Sequence, residues 1–371
     1  MENSYKVKNW EAICSIVILM INKLILNIPY YIVKLVGNGA IVNVIYIGII
    51  DFFILLIIIK LIDNFQSLDL MDISDFLGGH TLRNVVGLMA IVLFYLVSFI
   101  TLLDFCNVLH NIYFSNFSII YILFFFIIGV AIANFIGIES IVHSATFIVP
   151  LIILSIVITF FSSLRNISIE NITPIFGKNY YTTFIKGASN AFSMYIIVYI
   201  YYIKPLIENQ KDYKKISIIS YLISFVLLLL SVISMLSLFE TSSSNIPINS
   251  LFLLSRQIEL GHFIQRVDSI FILLWISATF TYLSLIIFAI NRIIKKFTNI
   301  SNEKMLSFST CSILFGLSLI PFNITQIQFI ENTIYRFIIL SFIFGIGIII
   351  LSLANYKKFK QKRNNMNEKK I

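Results

Sequence analysis

Long apolar runs separated by short polar clusters dominate the chain. A helix needs roughly 20 apolar residues to cross a bilayer, and ten such runs occur. They lie at about 11–35, 40–62, 84–109, 118–136, 139–161, 181–204, 216–239, 268–291, 304–320 and 330–354. The ninth is short. None of the runs shows the ten-residue alternation of an outer-membrane barrel strand, so each predicts a helix. No small-residue cleavage site follows the first run, so that run is expected to be kept as a helix.

Two of the runs weaken themselves from within. In IKGASNAFSMYI (185–196), Gly187, Ala188, Ser189 and Asn190 interrupt the sixth. Glycine lowers helix propensity, and Ser and Asn side chains compete for backbone partners. In hydrocarbon an unmade backbone hydrogen bond costs several kcal/mol, so broken helices survive only where they line a cavity or touch protein. Small residues also mediate helix packing, so one such segment is ambiguous. The first run has the same character: INKLILNIPYY (21–31) places Asn22, Lys23, Asn27 and Pro29 among apolar residues. Pro29 lacks an N–H and disfavours helix in the residues before it. Spans one and six correspond if the chain is an inverted repeat of five plus five helices, about 10–161 and 181–354. Interrupted helices at matching positions point to a central binding site.

Composition agrees with this reading. Of 371 residues, 58% are hydrophobic and 12% charged, with a mean hydropathy of +0.94. No soluble core uses that much apolar surface, so the class is an all-α integral membrane protein forming one transmembrane domain. The basic residues set its orientation. With ten spans both termini share a side, and that side collects 19 of the 27 Lys and Arg, seven of them in the tail 355–371. Both termini are therefore expected to be cytoplasmic. The net charge of +9 sits in those loops and in the tail, read as a solvated orientation signal able to touch anionic lipid, and calls for no nucleic acid.

Enzyme chemistry is not advertised. Cys14, Cys106 and Cys311 lie singly in separate spans, without metal-ligand spacing. His80, His110, His143 and His262 are scattered, and no nucleophile triad or phosphate-cradling glycine loop can be read. No cofactor is implied. Outside span seven, Leu251, Leu254, Ile258 and Phe263 recur at helical spacing, predicting a short amphipathic helix on the surface before span eight.

Several segments resemble a known family. They are QSLDLMDISDFLGGHTLRNVVG (66–87), NITPIFGKN (171–179), YIYYIKPLIENQKDYKK (199–215) and QRVDSIFILLWISATF (265–280). In order and spacing over nearly the whole chain they resemble the spore germination permeases, the B subunits of nutrient germinant receptors. With ten spans and breaks in spans one and six, the chain also looks like the amino acid–polyamine–organocation transporter fold. The resemblance implies a nutrient-sensing subunit that binds a small molecule such as an amino acid at the membrane midplane. It implies partners too, a larger membrane subunit and a lipoprotein subunit of the same receptor, in the spore inner membrane. A secondary transporter of amino acids or organic cations, or a channel formed with partners, shares these features. The superfamily commonly keeps Gly-x-Gly ahead of the span-one proline. Here those positions are Asn22 and Leu24 with Lys23 between, and the Asp-x-Trp usual at the start of span two is missing from GAIVNVIYIG.

The candidate ligand-binding residues are then Asn22, Lys23, Leu24 and Asn27 in span one and Gly187, Ala188, Ser189 and Asn190 in span six. By analogy with the fold, Tyr95, Ser98 and Thr279 join them as wall residues. Arg266 and Asp268 flank the mouth of span eight as a gate or ion pair. Lys23, an ionisable group in mid-span, is by default functional. It either snorkels, pairs with Asp51 or Asp104, or stands beside the site as a fixed cation. Glu139 and His143 share a helix face and could relay a proton.

Overall fold

The computed structural model describes residues 5–164, 169–177, 179–194, 197–239, 250–256, 267–298, 303–322 and 324–368. Among them regular structure is helical, apart from one isolated parallel bridge between Val7 and Ile207. Eight helices are long and apolar enough to cross a membrane. The other two expected spans take different forms. The described residues within 181–204 form irregular helix, and the ninth expected span holds the 16-residue helix Glu303–Ser318.

The first expected span is two helices, α1 (Asn9–Leu26) and α2 (Ile28–Val36). Pro29 cannot donate to the carbonyl four residues earlier, so the ladder fails there. The chain turns at Asn27, with φ −154° and ψ −7°. Then come α3 (Ala40–Asp63), α4 (Leu70–Ile112), α5 (Ile119–Ile136), α6 (Ile138–Ser163) and the short α7 (Ile169–Ile172). Span six starts as a wide π-helical turn, Tyr181–Ile185, tightens into 3-10 turns over Lys186–Met194, and resumes as α8 (Ile197–Ile203). The weakened KGASN stretch thus departs from α-helix where glycine and polar side chains stand. After α9 (Tyr213–Leu238), the short α10 (Ser250–Arg256) starts the amphipathic helix expected there; its Leu251 and Leu254 are buried, and residues 257–266 lie outside the described set. It is followed by α11 (Val267–Phe297) and α12 (Glu303–Ser318). The last span runs through α13 (Ile324–Phe329), a π-helical turn Ile330–Tyr335, α14 (Arg336–Leu340), a second π-helical stretch Ser341–Ile348, and α15 (Ile349–Glu368).

Burial ranks the helices. Every residue of α1 from Glu11 to Leu26 is buried, whereas α5 buries one stripe, from Ile122 and Leu123 to Val130 and Asn134. A helix apolar on all sides and enclosed by protein is a central one. In α1 the polar residues Asn22 and Lys23 therefore meet side chains rather than lipid.

Helix ends near the two termini are closed by lysines. Lys204 Nζ donates to the carbonyls of Ile62 and Phe65, each at 3.0 Å, at the end of α3. Lys357 Nζ donates to Phe76 O at 2.7 Å and Leu77 O at 3.0 Å, and Lys358 Nζ donates to Asn64 O. The last carbonyls of a helix lack intrahelical donors and carry partial negative charge, so ammonium groups suit them. The start of the basic tail is thus part of the packed structure, contrary to its reading as a solvated signal. Lys296 Nζ, at the end of α11, likewise binds Asp69 Oδ2 at 2.5 Å and Asp72 Oδ1 at 2.7 Å. Asp69 also caps α4 by accepting from Met71 N and Asp72 N.

Within α4, Gly79 has φ 72° and ψ −169°, a region that side-chain-bearing residues avoid. It separates a short first segment from the apolar part of α4. We expect Gly79→Ala to cost about 1–3 kcal/mol, read as a lower melting temperature in detergent. Gly316→Ala, where an added methyl meets nothing within 4 Å, should leave the melt unchanged or slightly raised.

Candidate functional site

The break at Asn27 and the π-helical turn of the last span face each other. Lys23 Nζ meets Glu331 Oε1 at 2.7 Å, and both side chains are only 1% exposed. Glu331 Oε2 accepts from Asn27 Nδ2 at 2.5 Å and from the Tyr31 hydroxyl at 3.0 Å. The same Asn27 nitrogen donates to Asp104 Oδ2 of α4 at 2.9 Å. One carboxylate therefore gathers α1, the break and α2. Each of its donors is set by the local chain. Lys23 lies one turn before Asn27 and Tyr31 one turn after it, so all three share a side of the interrupted helix.

A second contact lies deeper along α1. Thr279 Oγ1 of α11 donates to Asn22 Oδ1 at 2.8 Å, which makes a direct bond between the two helices. The interruption in span six is held from two directions. Asn190 Nδ2 donates to Asn43 Oδ1 of α3 at 2.8 Å, and Asn43 Nδ2 donates to Thr183 O at 2.8 Å. Arg336 Nη1 donates to Ser189 Oγ at 2.7 Å. Gly187 is closely approached, since a Cβ there would stand 2.3 Å from Asn43 Nδ2.

Along the two breaks some buried polar atoms stay unsatisfied: Asn22 Nδ2, Asn27 Oδ1, Asn190 Oδ1 and Ser193 Oγ. An unmade bond on a buried polar atom costs about 1–3 kcal/mol. A donor and an oxygen are left over on the first break, and two oxygens on the second. A cavity of about 20 Å³ is lined by apolar residues including Leu19, Phe94, Val97, Val198 and Ile339, with Tyr199, which is room for one water.

Of the residues singled out from the sequence, Asn22, Lys23, Asn27, Ser189, Asn190, Thr279 and Gly187 enter these contacts. Ala188 is half-buried between two of them, and Leu24 is a fully buried apolar residue in the core. Tyr95 turns to α12, donating to Thr310 O at 3.3 Å, and Ser98 bonds its own helix at Phe94 O. Neither joins the breaks. Asp268 is buried at the start of α11, while Arg266 lies outside the described residues. His143 meets Tyr5 at 3.2 Å and Glu11 at 3.3 Å near the N-terminus, and Glu139 is exposed, so the two do not form a pair along α6. Burial and the Glu11 carboxylate beside it push the Tyr5 phenol up to about 12, which keeps it a hydrogen-bond donor.

The partner of Lys23 corrects the expectation. It is Glu331 that bonds Lys23 directly; Asp104 is reached through Asn27 and also acts electrostatically on Lys23, and Asp51 is buried on α3 with its Oδ2 unsatisfied. Sequence reasoning missed Glu331 because it stands at the edge of the tenth apolar run, where an acid looks interfacial. Tyr31, Asn43 and the role of Arg336 were missed with it. A signal existed: a buried lysine requires an acid, and Glu331 with Arg336 five residues later breaks the final run.

These features define a multi-pass helical membrane protein with a buried ion pair at an interrupted helix. A model of the spore germination protein family matches residues 6–327, and the chain belongs to that family. A search of curated proteins finds no match.

Breaking a buried pair by removing one partner leaves an uncompensated charge, at about 3–5 kcal/mol. Lys23→Met is therefore expected to lower the melting temperature strongly. The double variant Lys23→Met, Glu331→Gln should recover part of that loss, since Gln still accepts from Asn27 and Tyr31. Additive melting shifts across the four proteins would show that the two side chains are not coupled.

Proposed function

We propose that this chain is the nutrient-sensing, permease-like subunit of a spore germination receptor. It binds a small molecule, such as an amino acid, between the break at Asn27 and the interrupted run Lys186–Met194. The observation that carries this reading is the set of buried, unsatisfied polar atoms on both breaks, beside the Lys23–Glu331 pair. A polar ligand supplies both donors and acceptors to such a set. Lys23, Asn27, Asn190 and Ser189 are the contacts we assign to it, with Gly187 leaving room for the close approach of α3.

The reading takes the chain as a single transmembrane domain of ten helices in a five-plus-five inverted repeat. Both termini are cytoplasmic, in the spore inner membrane. Interruptions in the first helix of each half support the repeat. In this reading the ligand acts by favouring a population in which the two breaks separate. Membrane and lipoprotein subunits of the same receptor read that shift.

Deletion of the protein should block germination with one set of nutrients and leave vegetative growth intact. A growth defect on an amino acid with normal germination would favour a secondary transporter instead. Within the site, Asn190→Leu removes the bond to Asn43 and fills the gap. It should abolish the response to those nutrients while the protein stays at normal membrane levels. Low protein abundance with normal sensitivity in what remains would mean that the segment serves packing alone.

A further inference from the structure

Asp104 differs from the rest of the buried cluster in what faces it. Glu331 accepts from Lys23, Asn27 and Tyr31, and the Arg336 guanidinium acts on it as well. Asp104 Oδ2 accepts from Asn27 Nδ2, the nitrogen that also serves Glu331, and the Asp104 carboxyl lies within hydrogen-bonding reach of the Glu331 carboxyl itself. The titratable groups around it are Lys23 from α1, Tyr31 from α2, Glu331 from the turn Ile330–Tyr335 and, beside Lys23, Tyr282 from α11. The one ammonium among them is bound to Glu331. The charged group that shares a donor with Asp104 is thus another carboxylate, and two carboxylates in one site do not both ionise freely. Asp104 is also the less sealed of the two: it is partly exposed, whereas Glu331 is fully buried.

We propose that Asp104 is a proton-binding site, its carboxyl carrying an exchangeable proton while Glu331 stays ionised against Lys23. The proton comes from water and returns to it, and no other bond forms or breaks. With the proton bound, the cluster holds one carboxylate for the Lys23 ammonium. Its loss adds a second negative charge at the break and sets Asp104 in competition with Glu331 for Lys23 and Asn27. Proton occupancy then adjusts how firmly α1 and the last span are held together. The inference needs no nutrient at the breaks.

Infrared spectra of the purified full-length chain in lipid, recorded over a pH series, test it directly. A protonated carboxyl gives a C=O stretch that an ionised one lacks. The wild type should show such a band, fading as pH rises. Asp104→Asn should abolish the titrating band, and Asp51→Asn should leave it in place. Asn keeps the oxygen that accepts from Asn27, and Asp104→Glu, which should restore the band at a shifted pH, covers the case in which Asn does not fold. The proposal is overturned if the wild type has no titrating band, or if the band persists unchanged in folded Asp104→Asn.

Discussion

A charge buried inside a membrane protein has to find its opposite, and in this chain one such pairing organises the middle of the bundle. Lys23 sits on the most enclosed helix, and its counter-charge comes from Glu331, 308 residues away. The ion pair is held by neighbours that the broken helix itself supplies. Asn27 can reach Glu331 because the chain turns at that residue, and Tyr31 because the helix restarts after it. The backbone interruption and the ion pair are two parts of one solution.

The second interruption is built with different chemistry. No charge is buried in residues 186–190 apart from the exposed start at Lys186; neutral amides and a hydroxyl hold that segment to α3 and to Arg336. Amide pairs such as Asn43 with Asn190 exchange partners at lower cost than ion pairs do. The half built on Lys23 and Glu331 is accordingly the stiffer one, and the half built on Asn190 the more adaptable.

What could be read from the sequence follows a physical divide. The apolar runs, the break before Pro29 and the weakening at Gly187 to Asn190 are local, since each depends on residues within a turn or two. Both breaks reappear in the structure, and eight helices among the described residues are long and apolar enough to cross a membrane. Contacts across the bundle are not local, and there the reading was incomplete. Lys23 demanded an acid, but three apolar helices carried one, and nothing in periodicity chooses Glu331 over Asp51 or Asp104. Tyr95 and Ser98 were placed by analogy with the fold, and their hydroxyls bond instead to Thr310 O of α12 and to Phe94 O of their own helix. The tail lysines show the same limit. Their number indicated orientation, but the capping of α3 and α4 by Lys357, Lys358 and Lys204 depends on where those helices end in space.

The bridge between Val7 and Ile207 has a mechanical meaning. Val7 N donates to Leu206 O at 3.0 Å and Glu208 N to Val7 O at 2.9 Å, two backbone bonds that fasten the start of α1 to the chain just beyond α8. The helices that lead to the two breaks are therefore pinned together at one end. From that pin, α1 extends 18 residues, about 27 Å at 1.5 Å per residue, to Asn27. A lever of this length turns a swing of about 10° into a displacement of about 5 Å at its tip. At that tip Asn27 still donates its N–H to Lys23 O and its side chain to Glu331, so the backbone pin and the buried cluster hold the two ends of one lever.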